Sequence, residues 1–176
     1  MPNWCYNIIE VIGDNAEVNK MVEKIEGEDT EFDFNKVLPY PEKYAILDKK
    51  SNGMRDKNVD LKDIPTDGFN SGGYEWCISN WGTKWNACEP VVSADGNIAE
   101  ISFDTAWSPS LGVTKALSEL FPTLTFKHSY EEGGCDFSGF TIFDGGEVIE
   151  DKSGNYEAFP ISEHYEIDWD EDDEEE

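Results

Sequence analysis

Residues Asn97–Glu131, NIAEISFDTAWSPSLGVTKALSELFPTLTFKHSYE, change their hydrophobic period twice, and that change decides the fold. From Asn97 to Trp107 the chain alternates: Ala99, Ile101, Phe103, Thr105 and Trp107 share one side, and Glu100, Ser102 and Asp104 share the other. This predicts a strand with one buried face. Ser108-Pro109 then offers an N-cap and a first-turn proline. Val113, Ala116, Leu117, Leu120 and Phe121 follow at helical spacing, and Pro122 stops the helix. Alternation returns from Leu124 to Glu131, with Leu124, Phe126, His128 and Tyr130 on one face. A strand, a one-faced helix and a second strand are therefore expected in succession.

The flanking segments extend this pattern. Asn3 to Ile12 reads as a strand apolar on both sides, Trp4, Tyr6, Ile8 and Ile12 on one and Cys5, Ile9 and Val11 on the other, hence central and covered on both faces. Asp14 and Glu17 form a capping-box-like start for a helix with Val18, Met21, Val22 and Ile25 on one stripe, ending at Gly27. Glu28 to Gly73 reads as a long, partly ordered insertion. YEWCISNWGTKW, from Tyr74, is rich in β-prone residues and is expected to form the next strand. After Gly133-Gly134, a strand over Phe137–Phe143, a turn at Asp144-Gly145-Gly146 and a strand from Glu147 make a terminal hairpin. The order β-α-(insertion)-β-β-α-β plus hairpin predicts an α+β, ferredoxin-like (split βαβ) antiparallel sheet with two helices on one face. One domain over residues 1–162 is expected, with 163–176 as an acidic, disordered tail.

Charge narrows the function classes. The 176 residues hold 39 Asp plus Glu against 13 Lys plus Arg, a formal net charge of −26. Ten of those acids and none of the bases lie in 163–176, so the first 162 residues still carry −16. A phosphate backbone would be repelled, which disfavours direct nucleic-acid binding. A basic protein surface would be attracted. The start MPNWCYN lacks a signal-peptide pattern and no apolar run reaches the roughly 20 residues of a membrane helix, so a cytoplasmic protein with reduced cysteines and no membrane partner is expected.

The segments MPNWCYNIIEVIG, FNKVLPYP, CISNWGTKWNA, FDTAWSPS and YEEGGCDFSG together resemble the YubB-like family with a ferredoxin-like domain, from Met1 to about Gly139. The strongest markers are Asn80, Trp81, Gly82, Thr83, Lys84 and Trp85, then Thr105, Trp107 and Pro109. The resemblance implies the fold and a phage or plasmid setting. It transfers no catalytic residues, and the acidic tail is not part of the pattern.

Sites of chemistry are sparse. No CxxC or HxxH pair occurs among four Cys and two His, so no metal or cofactor is expected. Asp168, Asp170 and Asp172 alternate like the start of a calcium loop but lack its glycine. His128, on an apolar strand face, reads as a buried structural histidine, and the tryptophans of the two motifs read chiefly as core. The leading expectation is a mobile-element accessory protein that binds a host protein through an acidic surface, in its sharpest form an anti-restriction or anti-CRISPR mimic of nucleic acid. Candidate contacts are Glu17, Glu23, Glu100, Asp104, Glu131 and Glu132. The alternatives are a small enzyme or a single-stranded nucleic-acid binder using the Trp81, Trp85 and Trp107 region. Oligomeric state is left open.

Overall fold

The computed structural model describes residues 3–57 and 59–161. The expected acidic tail, 163–176, lies outside the described residues. Among the described residues six strands form one antiparallel sheet: β1 (Trp4–Ile12), β2 (Cys88–Asp95), β3 (Ile98–Ala106), β4 (Thr125–Glu132), β5 (Phe137–Asp144) and β6 (Glu147–Gly154), in the spatial order β2-β3-β1-β4-β5-β6. The first four strands have the split βαβ order, and the terminal hairpin adds two strands beside β4. Helix α1 (Asn15–Ile25) links β1 toward β2, and α5 (Leu111–Leu120) links β3 to β4. Both pack on the face of Ile9, Val11, Ile101, Phe103 and Phe126, burying Val18, Met21 and Ile25 from α1 and Val113 and Leu117 from α5. Side chains of this size are each worth about 1.5–3 kcal/mol when fully buried, so the face is the main source of stability.

The segment 28–73 supplies α2 (Phe34–Val37), α3 (Glu42–Arg55) and two short 3-10 turns, Leu61–Asp63 and Phe69–Ser71. Phe32 and Phe34, both fully buried, pin it to the core through edge-on contacts with Phe103 at 5.2 and 5.9 Å.

Three expectations are corrected. The segment beginning at Tyr74 is helical, α4 (Gly73–Asn80), because Gly73, Cys77 and Trp81 recur every four residues and bury one side, which outweighs the β-prone composition. Its place in the sheet is taken by β2, an edge strand with no fully buried residue and a bulge at Glu89-Pro90, where Glu89 has φ 49°. Helix α5 starts at Leu111 with Ser110 as N-cap, two residues later than read, since the Ser108 hydroxyl donates to Gly82 O at 2.6 Å instead of capping. Strand β1 is central but helix-covered on one face only. Trp4 and Tyr6 on the other face are 42% and 38% exposed.

Candidate functional site

The two sequence motifs are locked into one unit. Gly82, at φ +89°, turns the chain after α4, and a Cβ there would lie 2.7 Å from Pro109 O. Buried Thr83 donates to Ala106 O at 2.9 Å, and Thr105 donates to Ser108 O at 2.8 Å. A Cβ on Gly112 would run into Asn80 O. Asn80, Gly82, Thr83, Thr105 and Pro109 therefore build the scaffold. Trp81 is core, its Nε1–H donating to Leu38 O at 2.8 Å while its ring meets Phe34 and Trp76 edge-on at 5.5 Å.

Trp85 and Trp107 depart from the expectation of core, being 43% and 45% exposed. Trp107 leaves the buried face of β3 because its backbone turns to φ +75°, uncommon for a bulky residue; its N–H donates to Asn3 O at 3.0 Å. Trp85 meets Trp4 with ring centroids 6.4 Å apart. One end of the sheet thus displays Trp4, Tyr6 and Trp85.

Register places the acids. Tyr6 sits opposite Asp104 on one side and Glu131 on the other, and Glu10 sits between Glu100 and Lys127. All six share the face without helices among the described residues. Burial, then Glu89, pushes the Asp104 carboxyl above its ordinary range. Burial also raises Glu10, offset by Lys127, whose ammonium lies 3.5 Å from it, and reinforced by Glu100. Like charges are crowded here.

The remaining candidate acids do other work. Glu131 accepts from Ile161 N at 3.0 Å and Tyr156 OH at 3.4 Å, holding the segment after β6 against the sheet. Glu132 is buried and accepts from Gly134 N and Cys135 N at 2.7 and 2.6 Å, closing the β4–β5 turn; burial raises its carboxyl, but hydrogen bonds from the Cys135 side chain, these two amides and the Asn3 side chain prevail and lower it. Glu17 and Glu23 lie on α1, across the sheet, and Glu17 pairs with Lys20 at 2.6 Å.

Beneath the Asn80–Trp85 turn lies a cleft of about 220 Å3, lined by Tyr40, Asp48, Phe69, Trp81, Lys84 and Trp85. Asp48 accepts from Tyr40 OH at 3.1 Å and Phe69 N at 2.9 Å. Asn35 and Asn86 also line it, but their amides are spent on Tyr40 N, Phe34 N and Asp33. The Lys84 ammonium stands 4.0 Å from the Trp85 ring centroid. Tyr40 and Asp48 went unnoticed in the sequence because the insertion carries no periodic pattern; the FNKVLPYP resemblance was the one signal pointing there.

His128 is not part of an accessible site. It is fully buried, with Nε2 3.0 Å from Asn7 Oδ1 and Nδ1 2.7 Å from Thr114 Oγ1. The Asn7 amide nitrogen donates to Cys5 O and Thr105 Oγ1, both at 2.8 Å, so Oδ1 accepts from an Nε2–H tautomer and Thr114 donates to Nδ1. Burial drives the imidazole down to about 3, and it is neutral. The Cys5 thiol is pushed up to about 12, by burial first, and is unreactive. Among the described residues no three His, Cys, Asp or Glu side chains gather as a metal site, and no helix is long and apolar enough to cross a membrane.

Comparison with known proteins agrees with this architecture. YubB, an uncharacterized protein of Escherichia coli K12, is 33% identical over 99 residues, covering 50% of this chain and 67% of its own. The crystal structure of the protein api92 from Yersinia pseudotuberculosis superposes with a TM-score of 0.55 over 91% of this chain and all of that one, at 14% identity, a likeness of fold. Residues 80–176 match the family described as the ferredoxin-like domain in Api92-like protein. The chain therefore belongs to the Api92-like family, and the match opens at the Asn80–Trp85 turn.

Proposed function

We propose that this is a binding protein whose helix-free sheet face engages a basic partner protein. The observation that carries the reading is a single sheet face on which Asp104 flanks the exposed Tyr6 ring beside Trp4 and, about 13 Å further along the strands, Glu10 stands opposite Glu100. Aromatic anchors with a charged surround are the composition of an interface centre and its rim. Burial is the larger cause that raises Asp104 and Glu10, and the smaller repulsions, of Glu89 on Asp104 and of Glu100 on Glu10, are ones that a partner's cations would relieve. The partner we infer is a host protein that handles nucleic acid, met by an accessory protein of a phage or plasmid in the cytoplasm. Glu100 and Asp104 lie four residues apart on one strand, about 13 Å, which is about four times the rise per phosphate of one strand along the DNA helix axis. Direct binding of nucleic acid by Trp4, Tyr6 and Trp85 is disfavoured by these same carboxylates.

The test is a pull-down from bacterial lysate with the wild-type chain and with a Glu100→Lys, Asp104→Lys variant whose fold is checked by circular dichroism. Retained proteins should be lost at higher salt, on charge reversal, and on addition of duplex DNA. Retention indifferent to the reversals would place the interface elsewhere on the molecule.

A further inference from the structure

The cleft under the Asn80–Trp85 turn has a chemistry of its own. Four aromatic side chains line it, Tyr40, Phe69, Trp81 and Trp85. Ring faces of this kind attract cations, and the Lys84 ammonium over Trp85 shows the attraction already in use at the mouth. The wall also holds Asp48, which takes part in none of the ion pairs among the described residues. Its negative field is felt in the cleft: after burial, Asp48 is the next cause that raises both the Tyr40 phenol and the Cys77 thiol. A carboxylate without a counter-charge, set among aromatic faces, is half of a cation site.

Size and polarity narrow the occupant. About 220 Å3 is below the roughly 300–1,000 Å3 of pockets for drug-sized molecules, so the cleft suits a single side chain rather than a nucleotide. The Asn35 and Asn86 amides are committed within the protein, so the charged side chains Asp48 and Lys84 are the polar lining left to meet a ligand. Between the two basic side chains, arginine fits better: its planar guanidinium stacks on indole and phenol rings, is more weakly hydrated than an ammonium, and presents several donors to one carboxylate. Trp85 belongs both to the cleft and to the exposed cluster with Trp4, so the cleft opens at the edge of the acidic face.

We propose that this cleft receives an arginine side chain of the partner protein, its guanidinium stacked among Tyr40, Trp81 and Trp85 and paired with Asp48. The source of the arginine rests on the reading of the sheet face above; the preference for a guanidinium does not. Lys84 then acts as a resident cation that must leave Trp85 when the arginine enters, and it opposes binding.

Intrinsic tryptophan fluorescence of the full chain, titrated with N-acetyl-argininamide, N-acetyl-lysinamide and the neutral isostere N-acetyl-citrullinamide, tests this. Saturable quenching is expected with the arginine derivative, weaker with the lysine derivative and absent with the citrulline derivative. Asp48→Asn should weaken it about tenfold or more, as loss of a charge-assisted pair does. Trp85→Ala, at an exposed position, should weaken it without loss of fold. Lys84→Met should tighten it, whereas a site for an anion would be lost. Glu23→Gln, on α1, should change nothing. Equal binding of citrulline, no binding at all, loss on Lys84→Met, or equal effects of Glu23→Gln and Asp48→Asn would each overturn the cleft. None of those results bears on the pull-down, because the Glu100 and Asp104 reversals leave the cleft lining intact.

Discussion

Alternate residues of β1 live in two different media. Cys5, Asn7, Ile9 and Val11 are inaccessible beneath the helices, and a chain of hydrogen bonds runs there from Thr105 through Asn7 and His128 to Thr114. Trp4, Tyr6 and Glu10, one residue out of register with them, carry the exposed rings and crowded carboxylates. The contrast teaches that stability and recognition are separated by a single step of the pleat. On the helix side Asn7, Thr105, Thr114 and His128 are paired with one another inside the protein, so they hold the fold. On the other side the charges are left partly uncompensated, so they are available to a partner.

The largest effect should come from the helix side. Trp81→Ala should cost about 3–5 kcal/mol in urea unfolding, the range for large aromatic deletions in cores. Trp4→Ala should cost far less, because its ring is already half in water. Equal costs would break the comparison and make Trp4 a core residue.

Next is His128→Leu, which strands the Asn7 amide oxygen and the Thr114 hydroxyl at about 1–3 kcal/mol for each buried group left unpaired. The same residue gives the contrast a pH signature. Its folded value, about 3, lies below the 6.5 of the unfolded chain, so the unfolded state binds the extra proton between them. The contribution is fully present above pH 6.5 and is lost as pH falls toward 3. Stability of the variant should lack that component of the slope, and an unchanged slope would show that His128 is not held neutral.

A smaller loss, about 1 kcal/mol, is expected for Thr83→Val, which keeps the shape but removes the hydrogen bond to Ala106 O. The sharper readout is at Trp85 and Trp107, whose fluorescence should shift if the two motifs are no longer locked together. No shift would mean that packing alone positions the rings.

The smallest effect on stability, within about 0.5 kcal/mol, is expected for Glu100→Gln with Asp104→Asn. Its sign should be favourable at neutral pH, since Asp104 is raised by burial and by Glu89 and its ionised form is the strained one. Association with the partner should nevertheless slow. A clear loss of stability would show that these carboxylates hold the sheet together.

Legibility of the chain followed from how each segment is buried. Strands β1, β3, β4 and β5, with helices α1 and α5, could be read from period, because each sends a regular set of side chains into the core, whereas β6, which buries none, was marked by the Asp144-Gly145-Gly146 turn before it. Strand β2 could not: an edge strand with Pro90 and a bulge buries no residue fully, and the β-prone tryptophans just before it drew the assignment away. The apolar residues on both sides of β1 suggested two covers. On the second side Trp4 and Tyr6 are instead exposed while Ile8 is buried, a difference that hydropathy does not encode.

What the amino-acid sequence determined by itself is the split βαβ order, the one-faced helices and the negative charge, since all three depend on local period and composition. Only the tertiary structure decided which tryptophans are core and which are displayed, because that turns on the positive φ of Trp107 and the interlocking of Gly82 with Pro109. It also decided the sites. Glu10, Glu100 and Asp104 meet through strand register, and Asp48 meets Trp81 and Trp85 through the packing of an insertion about forty residues away in the chain. Such meetings are set by long-range pairing, where the free energy comes from the whole core and leaves no mark on any short stretch of sequence.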